Sequence, residues 1–473
     1  MGRPESQPSL RSNYLSQLEN VAQSLGVMAP TGTLGVIIPL LVGKAGNGTW
    51  LVLLLIMVAY GLILLCINQF AGRCVSAGSL ATYAKLGLGR WGGIVTGWAY
   101  VIAMTFGLAS SAPSAGYYLD FVFRQAFGGG PDQIRAIVLT SLVVLASWWT
   151  AHRDIKLSTK LMLAIEWTSI CIMVLIVGIA MFRSNHWIDR SQLHLAGITP
   201  SGLQLGLVFG FMAFAGAESV TALGEESRNA KRIVPKVIFG CLVPVGILHI
   251  VMSYCMVSYA HRHSLSLDEL DAPFDTIANS LHLPVLGVLS SIGIAMSYFA
   301  CALGSLNAAA RVLFSMAKQQ LFFKSFGIAH RANFTPAKSI MAVSLIGLIS
   351  PSLLLAFNCT LTDCINYLTQ LASFGCIAAY FAVCLATPFY LFAKKIPRPS
   401  ILTIAVISLS VLGFILVFSV IPVPPPPWSF LPYIFLVMVA IGIVLSLFCG
   451  RNMGTAGRED VYAGSAAADD VLP

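Results

Sequence analysis

The feature that most restricts this chain is the length of its uncharged stretches: from Pro399 to Gly450, 52 residues pass without an Asp, Glu, Lys or Arg. Similar runs recur at 21–43, 45–72, 91–119, 237–260 and 276–310. About 20 predominantly apolar residues cover the hydrocarbon core of a bilayer as a helix, so each run is long enough to cross one. Helices in a water-soluble protein would keep polar faces, and these stretches have almost none. Only 10% of the residues are charged, against roughly 25% in a soluble globular domain. The pattern excludes an ordinary soluble enzyme and implies an all-α polytopic membrane protein.

Twelve spans are expected, near 21–43, 50–71, 91–123, 134–151, 157–182, 201–224, 235–259, 284–318, 337–357, 364–393, 399–421 and 428–449. They leave a cytoplasmic segment at 1–20 and a small, polar, acidic tail at 450–473 that reads as disordered. With both ends cytoplasmic, the inner side receives 22 of the 28 Lys and Arg residues. The outer side keeps Lys44, Arg124, Arg135, Arg183, Arg190 and Arg262, beside an acidic loop with Asp268, Glu269, Asp271 and Asp275. This asymmetry is the positive-inside rule. It orients the chain and accounts for the formal charge of +9 without a nucleic-acid partner. The expected location is the cell membrane, plasma or inner. No cleavable signal is expected, because the first 20 residues are polar and the apolar run after them is too long.

The eleven Cys show no metal-ligand spacing and lie mostly inside spans, so neither a metal nor a cofactor is expected. Cys359 and Cys364 flank an outer loop and form a candidate disulfide pair. Asn47 and Asn358 stand in N-x-T sequons on the outer side. The prolines between Pro422 and Pro427 predict a stiff turn between the last two spans.

A spanning helix must satisfy its own backbone, so Pro and Gly in its middle mark interruptions, which are tolerated where backbone lines a cavity. Two places qualify. The first span carries Met28-Ala29-Pro30-Thr31-Gly32-Thr33, and the sixth carries Phe214-Ala215-Gly216-Ala217-Glu218. If the first ten spans form two five-span repeats, 21–182 and 201–393, each break falls in the first span of its repeat, with 399–449 an addition. An odd number of spans inserts the halves with opposite topology, and paired interrupted helices point to a transporter's binding site. Half-helix ends present N–H groups to a carboxylate and C=O groups to an ammonium, a chemistry suited to amino acids.

The segment from Phe214 to Pro235, with Gly216-Ala217-Glu218, Gly224-Glu225-Glu226, Arg228-Asn229 and Pro235, resembles the sixth helix and following loop of the amino acid–polyamine–organocation permeases. Ser305 to Ala317 is similar to the cytoplasmic half of that family's eighth helix. Ala77 to Tyr83, followed by Gly89, Gly92 and Gly97-Trp98, is similar to its second-to-third connection. The resemblance implies a 5+5 inverted repeat of the leucine-transporter type, twelve helices, alternating access and substrate held at the breaks of helices one and six. The first break departs from the Gly-Ser-Gly of many members, and Ser169 stands where some carry a lysine that replaces a structural sodium.

Candidate substrate contacts are therefore Met28, Ala29, Pro30, Thr31, Gly32, Phe214, Ala215 and Gly216, with Ser110 and Ser111 beside Pro113 and Tyr298 on the eighth span as cavity-facing additions. Glu218 is the candidate proton carrier or ammonium partner, because an ionisable group within the membrane by default marks a pathway or relay; a structural carboxylate is the alternative. Glu166, roughly two turns from Lys160, is expected to snorkel or to bind a basic residue. Glu225 and Glu226 with Arg228, Lys231 and Arg232 are expected to form an inner-gate ion-pair network. His249 and His282 have no evident partner. The sequence thus implies a secondary-active permease for amino acids or amines, with proton-driven uptake as the first reading. An amino acid/amine exchanger is the alternative, and a non-transporting membrane sensor a third. Nothing resembles a nucleophile–base pair or phosphate loop, so no enzyme is expected. The oligomeric state stays open.

Overall fold

A computed structural model describes residues 9–185, 187–423 and 425–451. Among these the chain is helical, and its one β feature is an isolated bridge between Leu15 and Ser227. Eleven stretches are long and apolar enough to cross a membrane. The count differs from twelve because the first, Gln17–Ala71, is a 55-residue run that reverses at Gly46–Gly48 and contains two crossings. The reversal rests on Gly46, whose φ of 51° and ψ of −124° are open to glycine.

We number the crossings α1 (17–45), α2 (Thr49–Ala71), α3 (Ser79–Phe127), α4 (Gln133–Arg153), α5 (Ile155–Ser184), α6 (200–226), α7 (Ala230–His263), α8 (Pro284–Lys318), α9 (Ala337–Ala356), α10 (Leu361–Ala393), α11 (Pro399–Phe418) and α12 (Leu431–Arg451). Polar side chains set several starts. A capping box of Ser16 and Glu19 begins α1 at Gln17, ahead of the expected 21. Asp132, Asp154, Thr199 and Thr360 accept from the first N–H groups of α4, α5, α6 and α10. Gly89 (φ 73°, ψ −168°) divides α3, so the residues before it form a separate helix leading into the crossing.

α3 packs along α8 and α10 and is the most enclosed crossing, with 78% of its apolar window buried, whereas α11 and α12 reach 22%. The first ten crossings therefore make the bundle, and the last two lie at its edge. Large apolar side chains such as Phe182, Phe389 and Phe448 face outward, as lipid contact requires. Two expectations are corrected or left aside. Cys359 and Cys364 are both free, because the Cys364 thiol turns inward and donates to Pro351 O at 3.8 Å. Most of the tail at 450–473 lies outside the described residues.

Candidate functional site

The interruption of α1 is local in origin. Ala29 adopts a left-handed conformation (φ 43°, ψ 62°) that ends the first half, and Pro30, which has no N–H, opens the next. Neighbouring helices take up the backbone groups set free. From α8, Ser297 Oγ accepts from Gly32 N (3.2 Å), Tyr298 OH donates to Gly32 O (3.2 Å) and Cys301 Sγ donates to Val27 O (3.2 Å). From α7, His249 Nε2 donates to Pro30 O at 3.2 Å. A Cβ on Gly32 would lie 3.1 Å from the Tyr298 ring, so the close approach of α8 depends on glycine there.

In α6 the α-helix Pro200–Gly210 tightens into a 3-10 turn, Phe211–Phe214, then opens at Ala215 (ψ 137°) and Gly216 (φ 107°) before Ala217–Glu226. The two breaks touch: a Cβ on Gly216 would fall 2.4 Å from Val27 Cγ1, and one on Gly304 of α8 would fall 2.6 Å from Val27 Cγ2. Ser24 Oγ donates to Ala217 O (2.7 Å), and Gln23 Nε2 to Gly304 O (2.8 Å). Glu218 is fully buried beneath this junction, accepting from Gly216 N (3.2 Å) on one oxygen and from Tyr100 OH (3.3 Å) on the other. It closes the α6 break on itself and ties it to α3.

Contacts cross the bundle on both sides of the breaks. On the outer side Tyr118 OH donates to Gly35 O at 3.0 Å. On the inner side Tyr14 N and Leu15 N donate to Glu226 O (2.7 and 2.8 Å), and Arg228 N donates to Leu15 O (2.9 Å), strapping the segment before α1 across the end of α6. Glu226 forms a two-pronged ion pair with Arg311 of α8, both side chains buried. An outer depression of about 500 Å³ is lined by Asn47, Asp189, Ser191, Ser258, His261 and Arg262. An inner one of about 600 Å³ includes Asn13, Glu225, Lys231 and Arg232. Neither reaches the breaks.

The structure thus brings together Met28, Ala29, Pro30, Thr31, Gly32, Phe214, Ala215, Gly216 and Tyr298, the last lying against Gly32. Ser111 and Ser110 sit one layer away on α3, Ser110 donating to its own helix at Gly107 O. The expected inner network is redrawn: Glu226 pairs with Arg311, Glu225 accepts from Ala77 N (3.1 Å), and Arg228 donates to Asn13 O (3.1 Å). No salt bridge joins these carboxylates to Arg228, Lys231 or Arg232 among the described residues, because the end of α6 turns the carboxylates toward α8 and the α2–α3 connection. Glu166 does not snorkel and meets no basic residue among those described. It is fully buried against α8, accepting from Ser297 Oγ at 2.7 Å. Ser169 donates to Gly293 O at 3.1 Å. The residues that sequence reasoning missed are His249, Ser297, Arg311 and Tyr118. An imidazole inside a charge-free span was a usable signal for the first, whereas Arg311 was counted only as an orienting charge.

Comparison with known proteins agrees with this geometry. The profile of the amino acid permease family matches residues 20–452. The chain belongs to this family. A relative is the "Cationic amino acid transporter 4, vacuolar" of Arabidopsis thaliana, 26% identical over 69% of this chain and 54% of that protein. Another is the "Methylthioribose transporter" of Bacillus subtilis, 22% identical over 76% of this chain and 78% of that protein. The chain spans about half the length of the plant relative. Among solved structures, MhsT in complex with L-phenylalanine aligns with a TM-score of 0.57 at 15% identity, covering 93% of this chain and 99% of that one. That likeness establishes the leucine-transporter-like fold, with its inverted repeat, for this member of the permease family. The named relatives are transporters rather than enzymes.

Proposed function

We propose that the chain is a secondary-active permease for amino acids or related amines that works by alternating access, with substrate held where α1 and α6 are unwound. The observation that carries this reading is the contact of the two breaks, Val27 against Gly216, between the Tyr118 and Glu226 contacts. A substrate entering there separates the breaks and meets the N–H and C=O groups that α7 and α8 hold in its absence. In such a cycle, opening either end requires release of the Tyr118 contact or of the Glu226–Arg311 ion pair and the segment strapped beside it. The names of the relatives include both cationic amino acids and methylthioribose, so the side-chain pocket sets the cargo; Glu218, committed to Gly216 and Tyr100, supports an architectural role rather than a cargo contact. Uptake is coupled to protons, and the site of action is the cell membrane.

The test is uptake of a labelled amino acid and amine panel into proteoliposomes, with and without an inward proton gradient and with and without internal substrate. Gradient-driven accumulation in empty vesicles is the expected result. Uptake only into preloaded vesicles makes the protein an exchanger, and binding without flux under any condition refutes the permease reading.

A further inference from the structure

We propose that Glu166 is the proton-binding residue of the transport cycle and that Ser297 relays its state to the α1 break. This deepens the permease reading and rests on it. Glu166 is wholly enclosed between α5, α8 and the break segment of α1. Its Oε1 accepts from Ser297 Oγ at 2.7 Å, and the same Ser297 Oγ accepts from Gly32 N at 3.2 Å. An unbroken line of hydrogen bonds therefore runs from the carboxylate to the Gly32 N–H in the first turn of the second half of α1. Its Oε2 and the buried hydroxyl of Thr31 on the same break lie next to each other without a hydrogen bond of ordinary geometry, and neither has another partner.

A buried anion with an empty coordination side is unfavourable unless a cation or a proton fills it. No Lys, Arg or His among the described residues pairs with Glu166. On α8 the Cys301 thiol lies close enough to feel the charge of Glu166. Thr31 Oγ1 can donate to Oε2 of the carboxylate or accept from Oε2 of the protonated acid, so the proton sets the direction of that bond at the α1 break. Loss of that proton leaves an uncompensated anion against the break and favours the arrangement in which water reaches it. The proton comes from bulk water on one side and returns to bulk water on the other. Glu218 differs, since each of its oxygens already accepts a hydrogen bond.

The experiment follows uptake and internal pH together in proteoliposomes of wild type, Glu166→Gln, Ser297→Ala and Glu218→Gln. One proton per substrate converts a one-unit inward pH gradient into roughly tenfold accumulation. Wild type is expected to show this, with a matching internal acidification. Glu166→Gln is expected to lose both the accumulation and the pH dependence while still binding substrate, and Ser297→Ala to lose coupling in part. Accumulation that survives in Glu166→Gln, or that follows a sodium gradient without regard to pH, overturns the proposal while leaving the permease reading intact. Absence of flux in wild type overturns the permease reading itself. Should Glu166→Gln not fold, the infrared difference spectrum of wild type decides: a protonated-carboxyl band that shifts with substrate supports the proposal, and its absence refutes it.

Discussion

Replacing Gly216 by alanine probes the contact on which the functional reading depends. Two separable penalties arise. The backbone there has φ 107°, and an L-residue forced into the left-handed region costs roughly 1–2 kcal/mol. The new methyl group would also sit 2.4 Å from Val27 Cγ1, 2.8 Å from Val27 Cβ and 3.0 Å from the Val27 carbonyl carbon. Forcing a methyl group into a packed interior typically costs about 1–3 kcal/mol. The total, about 2–5 kcal/mol, is large enough to lower the melting temperature of the purified protein clearly and to abolish uptake. A second substitution tests the attribution. Val27→Ala removes the nearest atom but leaves the Cβ and backbone, so it should rescue Gly216→Ala only in part, with a favourable coupling of roughly 0.5–3 kcal/mol. Wild-type melting and uptake in Gly216→Ala, or strict additivity with Val27→Ala, would refute the claim that the two breaks bear on each other.

Further outcomes follow from the same geometry. Arg311→Met leaves Glu226 buried and unpaired and should cost about 3–5 kcal/mol; combining it with Glu226→Gln should restore most of the lost thermal stability. His249→Phe strands the carbonyl of Pro30, a loss of about 1–3 kcal/mol, and should weaken substrate binding in a ligand-induced melting shift, whereas His249→Gln should retain more of it. Glu218→Gln keeps an acceptor for one of its two donors but points an amide at the other, so melting should fall without any change in the pH profile of uptake. On the outer surface, burial alone would raise the Asp189 carboxyl, but hydrogen bonds from Ser191, Gln192 and His261 outweigh it and hold the group at about 2, below its ordinary 3.8. Because the folded value is depressed, this stabilisation is complete above the ordinary value and is lost as pH falls toward about 2. The melting difference between wild type and Asp189→Asn should therefore shrink across that window and stay constant at neutral pH.

Much of the architecture was legible because it is written locally. Spans follow from the length of charge-free runs, orientation from the sides on which Lys and Arg fall, and both breaks from residues whose own backbones dictate them: Pro30 without an N–H, Gly216 with its positive φ. Even the apparent loss of one crossing reflects only a tight reversal at Gly46 within a run read correctly as two spans. The positions of the breaks were legible to the same depth. Met28 through Gly32 and Phe214 through Gly216 came from interruption of a pattern, and the structure sets the two breaks against each other at Val27 and Gly216.

What the sequence left undetermined is which side chain meets which. Glu226 has Arg228, Lys231 and Arg232 close by in the chain, yet it pairs with Arg311, 85 residues away. His249 reaches Pro30 across 219 residues, and Glu166 reaches Ser297 across 131. A helix that is apolar all round carries no periodic stripe to reveal which face turns inward, so its rotation is fixed only when neighbouring helices pack. The chain by itself therefore determined that it crosses a membrane and where its helices must break. Only the tertiary structure decided that the breaks touch, that an arginine closes the inner end, and that a carboxylate thought to reach for the surface lies sealed against the broken helix.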